Sequence, residues 1–154
     1  MKLRPYQPAD AEALLLLMRE TVRRVNLGDY TQAQVEAWAP DQPDLSRWRQ
    51  KLAQETGVVA EVKGVIVGIC TWNATGYLDL LYVHHAHQRQ GIAKAMYTVA
   101  ERALHSDGLQ SIHTQASITA QPFFLRQGFR LVKSQTVHVR GVELPNAVME
   151  KQLI

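Results

Sequence analysis

Six residues, Gln88-Arg89-Gln90-Gly91-Ile92-Ala93, stand where an apolar run, Tyr77–Val83, gives way to a stretch with helical spacing, Gly91–Leu104. A helix starting there presents several unpartnered backbone N–H groups and a partial positive charge, which together make an anion site suited to a pyrophosphate. Close approach of phosphate oxygens needs small or absent side chains, as at Gly91 and Ala93, and Arg89 adds positive charge. An ordinary glycine at a helix start is the competing explanation. Two other phosphate loops are excluded, because the chain has neither Gly-x-x-x-x-Gly-Lys-Ser/Thr nor Gly-x-Gly-x-x-Gly after a strand.

The motif Gln88-x-x-Gly91-x-Ala93 resembles the Gln/Arg-x-x-Gly-x-Gly/Ala pyrophosphate loop of the GNAT N-acetyltransferases. Downstream, Ser117-x-x-Ala120-x-x-Phe123-Phe124-x-x-x-Gly128-Phe129 resembles that family's second signature, Asn-x-x-Ala-x-x-Phe-Tyr-x-x-x-Gly-Phe. With the intervening strand, helix and strand and a final hairpin, the likeness covers roughly residues 56–153, so each motif is supported by its context. The resemblance implies an α/β fold with a mixed, mostly antiparallel central sheet flanked by helices, and a V-shaped splay between the two central parallel strands. It also implies acetyl-coenzyme A as acyl donor, with the pantetheine arm in the gap. Leu81, Tyr82 and Val83 would offer backbone contacts, Gln88 to Ala93 (with Gln90 and Ile92 between) would hold the phosphates, and Ser117, Phe123 and Phe124 would line the arm or its thiol end. For the two phenylalanines, simple core packing is the alternative.

Acetyl transfer to an amine needs a neutral nucleophile, a polarised thioester carbonyl and an exit for the thiolate. Holding two substrates in line can contribute ~7–11 kcal/mol, so few catalytic side chains are required. The resemblance places a carbonyl-binding N–H at a strand bulge near Tyr82. Asp79 is the first candidate for a general base, being the only charge in an apolar strand, where burial would raise its pKa; an ion-paired Asp is the equal alternative. His84, His85, His87 and His138 titrate in a useful range, but the first three flank the phosphate loop and read as surface residues. Where the family often carries a tyrosine acid, this chain has Phe124, without an exchangeable proton. A noncatalytic acyl-CoA sensor is therefore the alternative function.

The acceptor is expected to be a primary amine of a small molecule or peptide. The resemblance puts its site among the N-terminal helices and facing strand ends, nominating Asn26, Asp29, Tyr30, Trp38, Trp72 and Asn73. Carboxylates and aromatics together can hold a cationic amine, although a helix cap and core aromatics explain the same residues.

The elements that must position these groups follow from periodicity. Lys2–Tyr6 predicts a short strand; Asp10 an N-cap for a helix over Ala11–Arg24, with Leu14, Leu15, Met18, Val22 and Val25 on one face. Thr31 caps Gln32–Trp38, and Leu45–Gln54 forms a third helix. Val58–Val62 and Val65–Trp72 make a hairpin about Lys63-Gly64, then follow Tyr77–Val83, the Gly91–Leu104 helix, the strand Ser111–Ser117, a short helix Gln121–Arg126, and a hairpin of Phe129–Val139 with Val142–Leu153.

At 154 residues and 46% apolar, one domain over residues 1–154 with one core is expected. A lone Cys70 in apolar surroundings forms no internal bridge and points to a reducing compartment. No secretory or membrane-spanning run is evident, so a cytoplasmic protein is expected. A net charge of +3 spread along the chain gives no support to nucleic-acid or membrane binding. No metal is expected, and a homodimer is left open.

Overall fold

The computed structural model describes residues 1–153. The chain runs β1 (Lys2–Pro5), α1 (Ala11–Arg24), α2 (Gln32–Trp38), α3 (Leu45–Ala53), β2 (Thr56–Val62), β3 (Val65–Trp72), β4 (Tyr77–Val83), α4 (Ile92–Ser106), β5 (Ser111–Ser117), α5 (Gln121–Arg126), β6 (Arg130–Val139) and β7 (Val142–Gln152). The predicted elements are all present, with ends shifted by one or two residues. Among the described residues no helix is long and apolar enough to cross a membrane.

All seven strands form one sheet in the order β1-β2-β3-β4-β5-β7-β6. Every neighbouring pair is antiparallel except β4 and β5, which the α4 crossover joins in parallel. That parallel pairing lasts only for Tyr77 with His113 and Leu78 with Thr114, after which the strands part. At the apex the Thr114 hydroxyl donates to the Leu78 carbonyl at 2.8 Å. The expected V-shaped splay is therefore present, opening towards the segment that follows β4.

Alternation along the strands divides the apolar residues between two faces. Leu78, Ile112, Ala116 and Met149 pack with Met96, Tyr97, Ala100, Leu104, Phe124 and Phe129 beneath α4 and α5. Val59, Ile69, Leu80 and Leu144 pack with Leu14, Met18, Val22, Val35, Trp48 and Leu52 beneath α1, α2 and α3. Each Val, Leu, Ile, Met or Phe among them contributes about 1.5–3 kcal/mol by leaving water.

The N-terminal capping differs from expectation. Asp10 does not cap α1; its carboxylate accepts from the Gln7 N–H and pairs with Arg4, whose guanidinium also reaches Glu61 at 2.7 Å. The Arg4 guanidinium holds the Asp10 carboxyl below the usual carboxylate range. Three residues of 3-10 helix, Pro8–Asp10, precede α1 and take the cap that the sequence assigned to it. Thr31 does cap α2, accepting from the Gln34 N–H while the Gln34 side chain accepts from the Thr31 N–H. The helix is then pinned to the β6–β7 turn, because Arg140 donates to the Ala37 carbonyl and Gln34 to that of Glu143.

Candidate functional site

The His84 N–H donates to the Val67 carbonyl at 2.8 Å, which marks these two as a hydrogen-bonded pair of the β3–β4 ladder. Bonded and unbonded pairs alternate in an antiparallel ladder, so Tyr82, opposite Ile69, turns both backbone groups to β3. Leu81 and Val83 then turn theirs to the other edge, towards the gap left by β5. The Val83 carbonyl accepts from Gln88 Nε2 at 2.5 Å, so among these groups the two amides and the Leu81 carbonyl face the gap without a strand partner. Of the three residues expected to offer backbone contacts, the register therefore favours Leu81 and Val83 over Tyr82.

The gap leads to the start of α4. Gly91 is its N-cap, with left-handed φ of 80°, and Arg89 is also left-handed at φ 60°. Two such turns in three residues bring the chain sharply into the helix, and Gln88 to Gly91 remain exposed. Ile92 is buried beneath α4 and Ala93 is partly so, which fixes the first turn to the sheet while its N–H groups stay open. This arrangement offers charge complementarity to a pyrophosphate and unpaired strand backbone to an amide-bearing arm.

The strand bulge lies earlier than expected. The β3–β4 register slips between Cys70 and Trp72, opposite Leu81 and Leu78, so the extra residue of β4 falls at Asp79–Leu80 rather than at Tyr82. The slip sends Leu78 to the α4 face but both Asp79 and Leu80 to the face of the N-terminal helices. The orphaned Leu80 N–H donates to the buried Thr71 hydroxyl at 3.1 Å. Asp79, with a side chain only 12% exposed, pairs with Lys51 Nζ at 2.6 Å. Asp79 is thus an ion-paired group at the bulge.

Around it stand residues that sequence reasoning missed. Glu55, just after α3, lies near Asp79 and Thr71, and burial plus the neighbouring Asp79 carboxyl raise its carboxyl to about 8, while its Oε1 is buried without a hydrogen-bond partner. Tyr77 faces the same carboxyls, and burial pushes its hydroxyl to about 12. Its ring lies 5.3 Å from that of His113 across the apex. The available signal was the spacing of Lys51 and Glu55, four residues apart at a helix end.

The second signature reads mostly as structure. Phe124 is buried, with its ring 5.0 Å from that of Phe129, while Phe123 keeps partial exposure and meets Tyr97 and Phe124 edge-on. Ser117 Oγ accepts from the Ala120 N–H and shapes the β5–α5 turn.

The nominated acceptor residues divide in the same way. Tyr30 accepts from the Ile118 N–H at 2.9 Å and donates to the Pro145 carbonyl at 2.6 Å, tying β5, β7 and α2 together. Asp29 accepts from Thr119 beside it, and Trp38 packs edge-on against Tyr30 at 5.4 Å. Asn26 is buried in the 3-10 turn that begins this segment. These four form one wall. Trp72 instead belongs to the core beneath α4, because its parity on β3 matches Cys70, and Asn73 accepts from Thr75 and Tyr77 in the β3–β4 turn. Both lie away from that wall. Tyr30→Phe leaves two backbone groups without their partner, and a loss of about 2 kcal/mol is expected, read as a lower urea midpoint at unchanged slope.

Glu20, His84 and His85 bring ligand-type atoms within 4.8 Å of one another. His84 Nδ1, however, accepts from the Ala86 N–H, which leaves the proton on Nε2, facing Glu20 at 3.5 Å. That tautomer is the wrong one for a metal at Nε2. Cys70 is buried and its thiol is pushed up by desolvation, so it is a packing residue.

Comparison with known proteins agrees with this geometry. A family model described as an acetyltransferase (GNAT) domain matches residues 26–153. An uncharacterised N-acetyltransferase of Escherichia coli K12, YafP, is 35% identical over 149 residues, covering 97% of this chain and 94% of the relative. A GCN5-related N-acetyltransferase structure from Rhodopseudomonas palustris superposes with a TM-score of 0.94 at 27% identity, covering 98% of this chain and 94% of the other. The PaiA N-acetyltransferase of Thermoplasma acidophilum, solved with coenzyme A, shares the fold at a TM-score of 0.79 and 16% identity, over 99% of each chain. A splayed parallel pair, an open helix start at its mouth and a matching sequence over most of its length make this chain a member of the GNAT acetyltransferase family.

Proposed function

We propose that this protein transfers the acetyl group of acetyl-coenzyme A to a primary amine of a small molecule or peptide, by direct attack while both are bound. The observation that carries this reading is the freed edge of β4, where Leu81 and Val83 turn their amides into a gap that ends at the exposed start of α4. The N–H groups after Gly91, with Arg89, would hold the pyrophosphate, and the Leu81 and Val83 backbone would align the pantetheine amides. The bound donor supplies a thioester carbonyl, and the Leu81 N–H is the group on this edge suited to receive charge growing on its oxygen. Phe123 is the aromatic left partly exposed beside the arm, whereas Phe124 acts through packing. Asn26, Asp29, Tyr30 and Trp38 support an acceptor wall on the face of the N-terminal helices. A free, buried Cys70 suits the cytoplasm.

The test is a screen of L-lysine, putrescine and a short peptide with a free N-terminus against acetyl-coenzyme A, reading free thiol. Amine-dependent thiol release is expected. Tight acetyl-coenzyme A binding in calorimetry without transfer to any amine would favour the sensor function instead.

A further inference from the structure

The turn before α2 carries a negative charge that the fold does not balance. Asp29 is exposed, its carboxylate accepts from the Thr119 hydroxyl at 2.8 Å, and among the described residues it forms no ion pair. Asp79, by contrast, is matched by Lys51 at 2.6 Å. An exposed carboxylate alone is ordinary, but Asn26 stands beneath this one. Asn26 and Asp29 sit at i and i+3 of a 3-10 turn, where side chains eclipse, and the Asn26 carbonyl accepts from the Asp29 and Tyr30 N–H groups at 2.9 and 3.0 Å. Asn26 is only 5% exposed, yet its carboxamide meets no hydrogen-bond partner among the described residues, and neither of its polar atoms is sealed from outside as Thr21 Oγ1 is. Buried polar groups are nearly always partnered, so this amide is left for a group that arrives from solvent.

An aromatic face borders the same corner, because the Trp38 ring meets Tyr30 edge-on at 5.4 Å and keeps partial exposure. A carboxylate, a free amide and an aromatic ring together suit an ammonium group. The corner is also fixed relative to the gap. Tyr30 accepts from the Ile118 N–H and Asp29 from the Thr119 hydroxyl, so this wall is clasped to the chain just beyond β5. Ile118 is four residues past the apex on the β5 side, and Leu81 is three past it on the β4 side, one of them taken up by the bulge. The wall therefore stands roughly 7 Å farther along the strands than the Leu81 amide. A chain of about four or five carbons between two nitrogens spans that distance.

We infer that Asn26, Asp29 and Trp38 form a subsite for a second ammonium group, so that the acceptor is an α,ω-diamine or a longer polyamine. This rests on the acetyl-transfer reading above. One nitrogen, neutral after losing a proton to solvent, bonds to the acetyl carbon as the carbon–sulfur bond breaks, and its surplus proton ends on the departing coenzyme A thiol. The other nitrogen keeps its charge at neutral pH, as alkylamines do, and stays on the Asp29 carboxylate, with the Asn26 carboxamide oxygen accepting one of its N–H groups and the Trp38 ring beside it. Acetylation removes the charge from the reacted end. A singly acetylated diamine turned about has only a neutral amide to offer Asp29, so a second transfer is slow.

The test compares each diamine with the monoamine of equal carbon count, putrescine with butylamine and cadaverine with pentylamine. kcat/KM should favour the diamine by about 10- to 30-fold, the scale of one charge-assisted hydrogen bond, and mass spectrometry should find the singly acetylated product. Asp29→Asn should cut that preference about tenfold, through KM more than kcat, and Asp29→Glu should keep part of it because the charge remains. A second readout needs no transfer. With coenzyme A, which has no acetyl group to give, calorimetric titration should show putrescine bound about tenfold more tightly by the wild type than by Asp29→Asn. Equal use of diamine and monoamine, or a preference untouched in Asp29→Asn, overturns the subsite while leaving acetyl transfer intact. No turnover with any amine, with Asp29-dependent putrescine binding retained, overturns the transfer reading and keeps the subsite; loss of both overturns both.

Discussion

Gly91→Val is expected to raise the dissociation constant for acetyl-coenzyme A by about 10²–10³ while leaving the melting temperature within a few degrees. Gly91 sits at φ 80° and ψ 8°, and a Cβ built on it meets no atom within 4 Å, so the folded protein has room for a larger side chain. What the change disturbs is conformation and approach. A left-handed conformation costs an L-residue roughly 1–2 kcal/mol, and more for a β-branched one, so the segment relaxes and its N–H groups turn away from the mouth of the gap. The open space beside Gly91 is also where a phosphate must come close. Losing about two charge-assisted hydrogen bonds, at about 1.5–2 kcal/mol each for a solvent-exposed site, gives roughly 3–4 kcal/mol, or two to three powers of ten in affinity. Calorimetric titration measures it directly. Gly91→Ala, smaller but equally left-handed, should fall between; a Gly91→Val protein binding within threefold of the wild type would show that the start of α4 is not the phosphate site.

The loop was legible because its chemistry demands particular residues in consecutive order. Small residues at a helix start leave a written pattern, and so does the switch from the apolar run of β4 to the period of α4. The same holds for α2, whose Thr31 cap and length are local matters. The bulge was not legible, since a slip between Cys70 and Trp72 depends on how two strands align and on Thr71 receiving the Leu80 amide. That single slip decides which way Asp79 points and brings it to Lys51 and Glu55. Glu55 lies 24 positions before Asp79 in the chain, and its one local signal, the four-residue spacing from Lys51, says nothing of Asp79, so only the fold brings the two together. Trp72 and Asn73 were misplaced for a similar reason: residue type suggests an amine site, but strand parity sends Trp72 under α4 and the β3–β4 turn consumes Asn73. Asp10 shows a shorter-range form of the problem. Its type fits a helix cap, yet Arg4 and the Gln7 amide compete for the same carboxylate and win.

The apex of the splay depends on Gly76, and Gly76→Ala should be the most destabilising small substitution on the sheet, at about 2–5 kcal/mol. Gly76 has φ 88°, its N–H donates to the Asn73 carbonyl and its own carbonyl accepts from the His113 N–H at 3.0 Å. A Cβ there would stand 2.8 Å from the Ser111 carbonyl oxygen, which is backbone of β5 and cannot swing aside as a side chain would. The left-handed conformation contributes roughly 1–2 kcal/mol and the overpacking roughly 1–3 kcal/mol. Against a typical total of about 5–15 kcal/mol, this is a large share, and a melting temperature lower by roughly 5–15 °C is expected. Gly64→Ala separates the two contributions, because Gly64 is left-handed at φ 79° with nothing within 4 Å of its Cβ position. It should lose only the conformational part. Equal losses in the two variants would show that contact with β5 is not what constrains Gly76. A larger loss at Gly76 has a functional consequence, because relief of the clash moves β5 away from β4 at the one place where they pair. His113 then leaves Tyr77, the Thr114 hydroxyl leaves the Leu78 carbonyl, and the gap widens from its closed end. Acetyl-coenzyme A affinity should therefore weaken in Gly76→Ala even though no atom of Gly76 faces the gap, and it should remain unchanged in Gly64→Ala.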